Sequence, residues 1–452
     1  MELRAFWYCP KKPKSIKSLT RLAMKSMSHL KITIFIAGIL TLLTACQKNE
    51  FMPEPVGEEI PAPNYPALLD GLPDETSLFK TMWQKAGMDA VLATEQAQAR
   101  LTFLVPSNAA MEAAGYSTGK IQQLTEDSLQ HILRYHVLNG AISSEQLRHV
   151  GGNLTFFTLL KHAKFLDGEP REGSLVRTVP YCYRQQLTVE DGNLIANGSK
   201  FKIDKEVTVS QGNVLIIEKV LEAPRQQMYD FLVKDGRFSL YLKALEISNI
   251  DYATEMAMNW YASFALPVRF MIDWNYYFEG TFHYSADKPR HVIHCTLFAP
   301  TDEAFHEIAI YTEADLRALN GRIETPLYYE QNQRTPVDSL LRYQYIGTAS
   351  SEATFNEDYS ALTLGVQLNR SSDNTSLFSD MLDNKKITGL SDGFNYIGHR
   401  FDRSGKHIKV SHLHSKEKQV TITEENINTI QGPIHVVDRI LVPDEFSMWH
   451  KK

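Results

Sequence analysis

Thr296-Leu297-Phe298-Ala299-Pro300-Thr301-Asp302-Glu303-Ala304-Phe305 is the stretch whose reading decides the fold. A short apolar strand meets a proline. A threonine then stands where a helix N-cap belongs, and a helix begins. The same order recurs upstream in Leu101-Thr102-Phe103-Leu104-Val105-Pro106-Ser107-Asn108-Ala109-Ala110-Met111. The hydroxyl of Ser107 or Thr301 is expected to accept from the orphan amides of the first helical turn. Asp302 and Glu303 suit the positive end of that helix.

The surroundings repeat as well. Leu78, Phe79, Met82, Trp83 and Ala86 recur at helical spacing before the first box. Met228, Phe231 and Leu232, then Leu240, Leu242 and Leu245, do so before the second. A further helical region follows each box, at 128–137 and 337–346, containing Ile132-Leu133-Arg134-Tyr135-His136-Val137 and Leu340-Leu341-Arg342-Tyr343-Gln344-Tyr345. Each copy ends in strands rich in Val, Ile and Leu, at 212–221 and 432–443, a composition that predicts cover on both strand faces.

These boxes, in this order and spacing, resemble the fasciclin-domain family. The strand–proline–helix box is well matched at Thr296–Phe305 and more loosely at Leu101–Met111. The tyrosine–histidine step is present at Tyr135-His136 and altered to Tyr343-Gln344. The closing box is good at Val436–Leu441 and degraded at Ile216–Leu221. The resemblance implies an α+β chain of two tandem fasciclin-like wedges, at 67–224 and 225–446, each a β-sandwich with helices packed on one side. The second copy is longer. It carries an aromatic-rich insert at 250–290, with ten aromatics between Trp260 and Tyr284, and a polar loop at 350–380 rich in Ser, Asn, Asp and Thr.

The N-terminus gives the compartment. Eight basic residues and one acid precede an apolar run from Ile32 to Leu43. That run is short of the roughly 20 residues a membrane crossing needs, and suits a signal-peptide core. It ends in Leu43-Thr44-Ala45-Cys46, which resembles a bacterial lipobox and implies that Cys46 is lipidated after removal of 1–45. An uncleaved transmembrane helix is the alternative. Met1, Met24 and Met27 are all possible starts. Cys46-Gln47-Lys48-Asn49-Glu50 is similar to the export signal of surface lipoproteins of Bacteroidetes-type bacteria, with Asn49 interrupting the acids. Residues 46–66 carry Pro53, Pro55, Pro61, Pro63 and Pro66 and read as a tether.

Losing eight basic residues and one acid with 1–45 moves the formal net charge from −6 to −13. Such a chain has no general attraction for nucleic acid or anionic lipid. About 400 mature residues exceed one ordinary core. With Cys46 consumed by lipid, Cys182 and Cys295 read as two thiols in different domains; a bridge between them is the alternative.

Motifs of the common hydrolases, metalloproteases, nucleotide-binding loops and redox dithiols do not occur. No cofactor, metal site or catalytic residue is expected. His412 and His414 share a strand face but lack an evident third ligand, and His291 and His294 precede a strand. Tyr135 and His136 carry two readings. The resemblance implies a part in adhesion for this step, and the residues themselves suit a helix end bridged to a loop. Trp260, Trp274, Tyr276 and Tyr277 are candidate binding residues whose flat rings suit sugars or proteins. Packing against the first copy is their alternative. The expectation is a non-enzymatic outer-membrane lipoprotein, exposed at the cell surface, that binds an extracellular protein or glycan. An accessory polysaccharide-binding component of a glycan-uptake system is the alternative. Oligomeric state is not encoded in any visible pattern.

Overall fold

The structure is a computed structural model, and it describes residues 66–96, 99–150, 153–167, 179–209, 212–258, 290–292, 294–321, 335–346, 376–384, 398–412 and 419–442. The chain divides into Met1–Pro61 and Ala62–Lys452. All of the first unit lies outside the described residues, and with it the leader, Cys46 and most of the tether. Among the described residues no helix is long and apolar enough to cross a membrane.

The Ala62–Lys452 unit holds two mixed α+β wedges in tandem. The first is built on strands β1 (Leu101–Pro106), β2 (Val137–Asn139), β3 (Leu154–Asp167), β4 (Val179–Glu190), β5 (Asn193–Ala196), β6 (Ser199–Val209) and β7 (Gly212–Ile217). They run β2-β1-β7-β6-β5-β4-β3, and β2 also pairs with β3, so the sheet closes on itself. Helices Ser77–Lys85, Met88–Glu95 and Glu126–Tyr135 cover one side.

The closing strand does run with both faces covered. β1 and β7 lie parallel, Phe103 opposite Val214, and every residue of both is buried. Alternation then feeds two cores. Leu101, Phe103, Val105, Val214 and Ile216 meet the helices, packed with Phe79, Met82 and Trp83. Leu104, Leu215 and Ile217 point the other way, into the sandwich. Each such side chain contributes on the order of 2 kcal/mol by leaving water. Trp83 lies near Phe79 and Phe103, and its indole N–H donates to Asp89 at 2.8 Å.

The second wedge uses β9 (Thr296–Pro300), β10 (Tyr345–Ile346), β11 (His399–Asp402), β12 (Lys409–His412), β13 (Val420–Thr429) and β14 (Gly432–Val437), in the order β10-β9-β14-β13-β12-β11. β9 and β14 are again parallel. Leu297, Ala299, Ile434 and Val436 face the helical core, and Phe298 and Val437 face the other. The repeat reaches single atoms. Gly212 and Gly432 open the closing strands at φ +143 and +137, where a Cβ would fall 1.8 Å from the Leu101 carbonyl oxygen and 2.1 Å from that of Cys295. Asn108 accepts from the Leu78 amide at 2.9 Å, and Asp302 accepts from Leu240 at 2.8 Å, so each box helix ties down the start of the preceding one.

Three expectations are adjusted. Ser107 caps its helix, accepting from Ala110 at 3.3 Å, but Thr301 makes no cap bond. The helix Ser239–Met258 continues into the insert 250–290. The end of the polar loop 350–380 is interior. Ser376, Leu377, Phe378 and Ser379 are buried, because Leu377 donates to the Thr296 hydroxyl at 2.6 Å and packs beside Phe298.

One segment crosses the 224/225 boundary. Strand β8 (Arg290–Val292) adds in parallel to β3 of the first wedge, and Val292 and Ile430 join the first wedge's core.

Candidate functional site

Of the candidate binding residues, Tyr135 and His136 lie within the described residues. The helix Glu126–Tyr135 ends at this step, and both side chains are 1% exposed. His136 lies 2.9 Å from the Ile132 carbonyl through Nδ1 and accepts from the Leu221 amide through Nε2, also at 2.9 Å. One nitrogen donates and the other accepts, so the ring is neutral. Burial pushes it down to about 4. The imidazole fastens the helix end to the segment after β7.

In the second wedge Gln344 does the same work. Its Nε2 donates to the carbonyls of Leu340 (2.9 Å) and Leu441 (2.6 Å), and its Oε1 accepts from the Leu441 amide at 3.2 Å. The backbone agrees, since Leu104 donates to the His136 carbonyl and Phe298 to that of Gln344. The altered step at Tyr343-Gln344 is an amide standing in for an imidazole.

Tyr135 faces the seam between the wedges. Its hydroxyl receives the Asn197 amide at 3.2 Å and lies beside Asn428 of the second wedge. Burial holds the phenol above its ordinary pKa. Asn197 is itself fixed, accepting from Gln186 at 2.8 Å and donating to Gln185 at 3.2 Å. Tyr181 donates to the Ile430 carbonyl at 3.1 Å, and Asn426 reaches the Gly198 carbonyl at 3.4 Å. A cavity of about 30 Å³ lies on this seam, lined by Arg184, Gln186, Asn197, His294, Ser376 and Asn428 among others. It has room for a water or two, not for a sugar or peptide. Burial, aided by the nearby Arg184 charge, holds His294 far below its usual range.

Tyr135 and His136 are therefore interior parts, and neither offers surface to a macromolecule. Trp260, Trp274, Tyr276 and Tyr277 lie outside the described residues, as does His414. His412 is buried opposite His399 across β11 and β12, with ring centres 5.0 Å apart, and its ring packs on Tyr343. Among the described residues no three His, Cys, Asp or Glu side chains gather as a metal set. Cys182 and Cys295 are not joined by a disulfide, and burial pushes the Cys295 thiol up to about 12. The seam asparagines Asn197, Asn426 and Asn428 have no counterpart in the sequence reading. The only local signal was Asn197-Gly198, an ordinary turn pair.

The architecture defines a class, a tandem α+β pair with its repeat step buried for structure. Comparison with known proteins gives the particular relation. Residues 74–224 match the family model of the fasciclin domain, so the first wedge is fasciclin-like. Among solved structures the chain is similar to a FAS1 domain pair from the insect cell adhesion molecule fasciclin I. The identity is 14%, with 82% of this chain and 97% of that one covered, at a TM-score of 0.26, too low to support an argument. No curated protein matches the chain.

Proposed function

We propose that the chain is a lipid-anchored protein of the bacterial outer membrane, displayed at the cell surface, that binds an extracellular protein or glycan without catalysis. The observation carrying this reading is the fasciclin match at 74–224, a domain type associated with adhesion and binding, together with the same β1/β7-type architecture repeated in the second wedge. Leu43-Thr44-Ala45-Cys46 supports the anchor and Gln47-Lys48-Asn49-Glu50 the surface location. Ten aromatics between Trp260 and Tyr284 favour a second reading, an accessory polysaccharide-binding component of a glycan-uptake system.

The test has two parts. Cys46→Ser should abolish palmitate labelling and release the protein from membranes, while proteinase treatment of intact cells should shave the wild type. Trp274→Ala with Tyr277→Ala should weaken binding on arrayed glycans and matrix proteins. Retained membrane association without labelling sinks the anchor, and unchanged binding sinks the role of the aromatic segment.

A further inference from the structure

His294 stands where the chain crosses between the wedges. Strand β8, which joins the sheet of the first wedge, ends at Val292, and β9 of the second begins at Thr296. The side chain between them is 4% exposed. Tyr181 of the first wedge lies against the imidazole, ring centres 5.8 Å apart, and the Ser376 hydroxyl of the second wedge lies 3.5 Å from Nδ1. Arg184 lines the same cavity from β4, its guanidinium 5.0 Å from the centre of the Phe157 ring. Of the described residues that line this cavity, Arg184 alone carries a fixed charge, Tyr181 and His294 can titrate, and the other polar groups are neutral.

A proton on His294 puts a second positive charge into a buried seam. Burial first, and the Arg184 charge second, resist it while the seam is closed. When the seam parts, water reaches the ring and that resistance falls away. The parted state then binds the proton better below about pH 6.5, the ordinary imidazole value. Falling pH therefore shifts the balance towards parting, by up to about tenfold per pH unit for one histidine. The seam is also lightly held, since each wedge has a helical core of its own. Among the described residues it is joined by three register pairs of β8 with β3, by Val292 and Ile430 in the first wedge's core, and by polar bonds such as Tyr181 to the Ile430 carbonyl. Such a region opens at lower cost than a central sheet.

We infer that the seam is an acid-sensitive hinge, in which a proton taken up at His294 releases β8 from β3 and parts the wedges while each stays folded. The position of the ring carries this. His294 lies two residues beyond β8 and is packed from both sides of the seam, so the movement that wets it also pulls on the β8–β3 pairing. The hinge does not depend on the binding reading above and goes beyond it, to a change of shape that acid surroundings would impose on the pair.

The experiment is hydrogen exchange of the full-length chain in detergent, read by mass spectrometry from pH 7 to 5 and corrected for the pH dependence of intrinsic exchange. Protection of the β8 amides should fall by up to about tenfold per unit below about pH 6.5. Where it first falls, β1, β7, β9 and β14 should keep theirs. His294→Gln, which cannot take up the proton, should flatten the slope whatever it does to the level. His399→Gln removes a buried imidazole that bonds the Tyr343 carbonyl within the second wedge, and should leave the slope unchanged. A wild-type chain whose β8 protection does not vary with pH overturns the inference without any variant. Loss of β8 protection only in step with β9 and β14 overturns it too. So does a wild-type slope in His294→Gln, or a slope flattened as fully by His399→Gln.

Discussion

Where the first wedge fastens its helix to its closing segment with an imidazole, the second uses an amide. His136 and Gln344 each span from the carbonyl four residues back to the backbone of Leu221 or Leu441. The lesson is that the position needs one donor and one acceptor at a fixed separation in a dry place, not a histidine. The second wedge nevertheless holds more buried imidazoles. His399 bonds the Tyr343 carbonyl, His435 the Leu377 carbonyl, and each stacks on Phe298. Gln344 cannot take up a proton. The first wedge therefore has its buried histidine at the helix clasp, and the second has its histidines in the sheet core.

Breaking what the wedges share should have the largest effect. Gly212→Ala and Gly432→Ala place a Cβ against a backbone carbonyl at a left-handed φ. Each should cost at least about 3 kcal/mol and unfold its own wedge first in guanidinium denaturation followed by domain-specific probes.

Acid should separate the two next. Burial pushes His136, His399 and His435 down to about 4 in the folded chain, against about 6.5 when unfolded. The unfolded state then binds more protons between these values, so stability is complete above about pH 6.5 and falls as pH drops towards 4. Each histidine can withdraw up to about 3 kcal/mol over that window. With His399, His435 and the seam histidine His294 against His136 alone among the fully buried imidazoles, the second wedge should melt first between pH 6 and 4.5, measured by hydrogen exchange. Earlier loss of the first wedge would break this ordering.

Swapping the clasp sharpens the contrast. His136→Ala leaves the Leu221 amide unpaired and should cost about 1–3 kcal/mol, whereas His136→Gln, copying the second wedge, should cost less than about 1 kcal/mol and flatten the first wedge's acid response. Equal loss from both variants would mean that the ring's shape, not its two bonds, matters. The smallest effect is expected from Asp302→Asn, which makes the second box match Asn108. It keeps the bond to Leu240, turns the bond with Ser239 round so that the amide donates as Asn108 does to Ser77, and loses a charge at a helix start, about 0.5 kcal/mol in thermal unfolding.

The repeat could be read from residues because it is local. A strand, a proline, a capping-type residue and a helix lie within a dozen positions, and Leu78, Phe79, Met82 and Trp83 announce their buried face by spacing. The seam could not. Asn197 meets Tyr135 across 62 positions and Tyr181 meets Ile430 across 249, and single polar residues carry no periodic signal. Thr301 shows the limit of local rules. A hydroxyl in the right place makes no cap bond here, although Ser107 at the matching position does.

The three residues of β8 have a consequence for how such pairs can evolve and be engineered. Because the second half of the chain lends a strand to the sheet of the first, and Ile430 fills its core, a gene cut between codons 224 and 225 would yield a leading half with a raw edge and a missing plug. The two wedges cannot be shuffled as independent cassettes. Recombination that keeps both functional should carry them as one cassette, with any new material accepted only between strands that stay home.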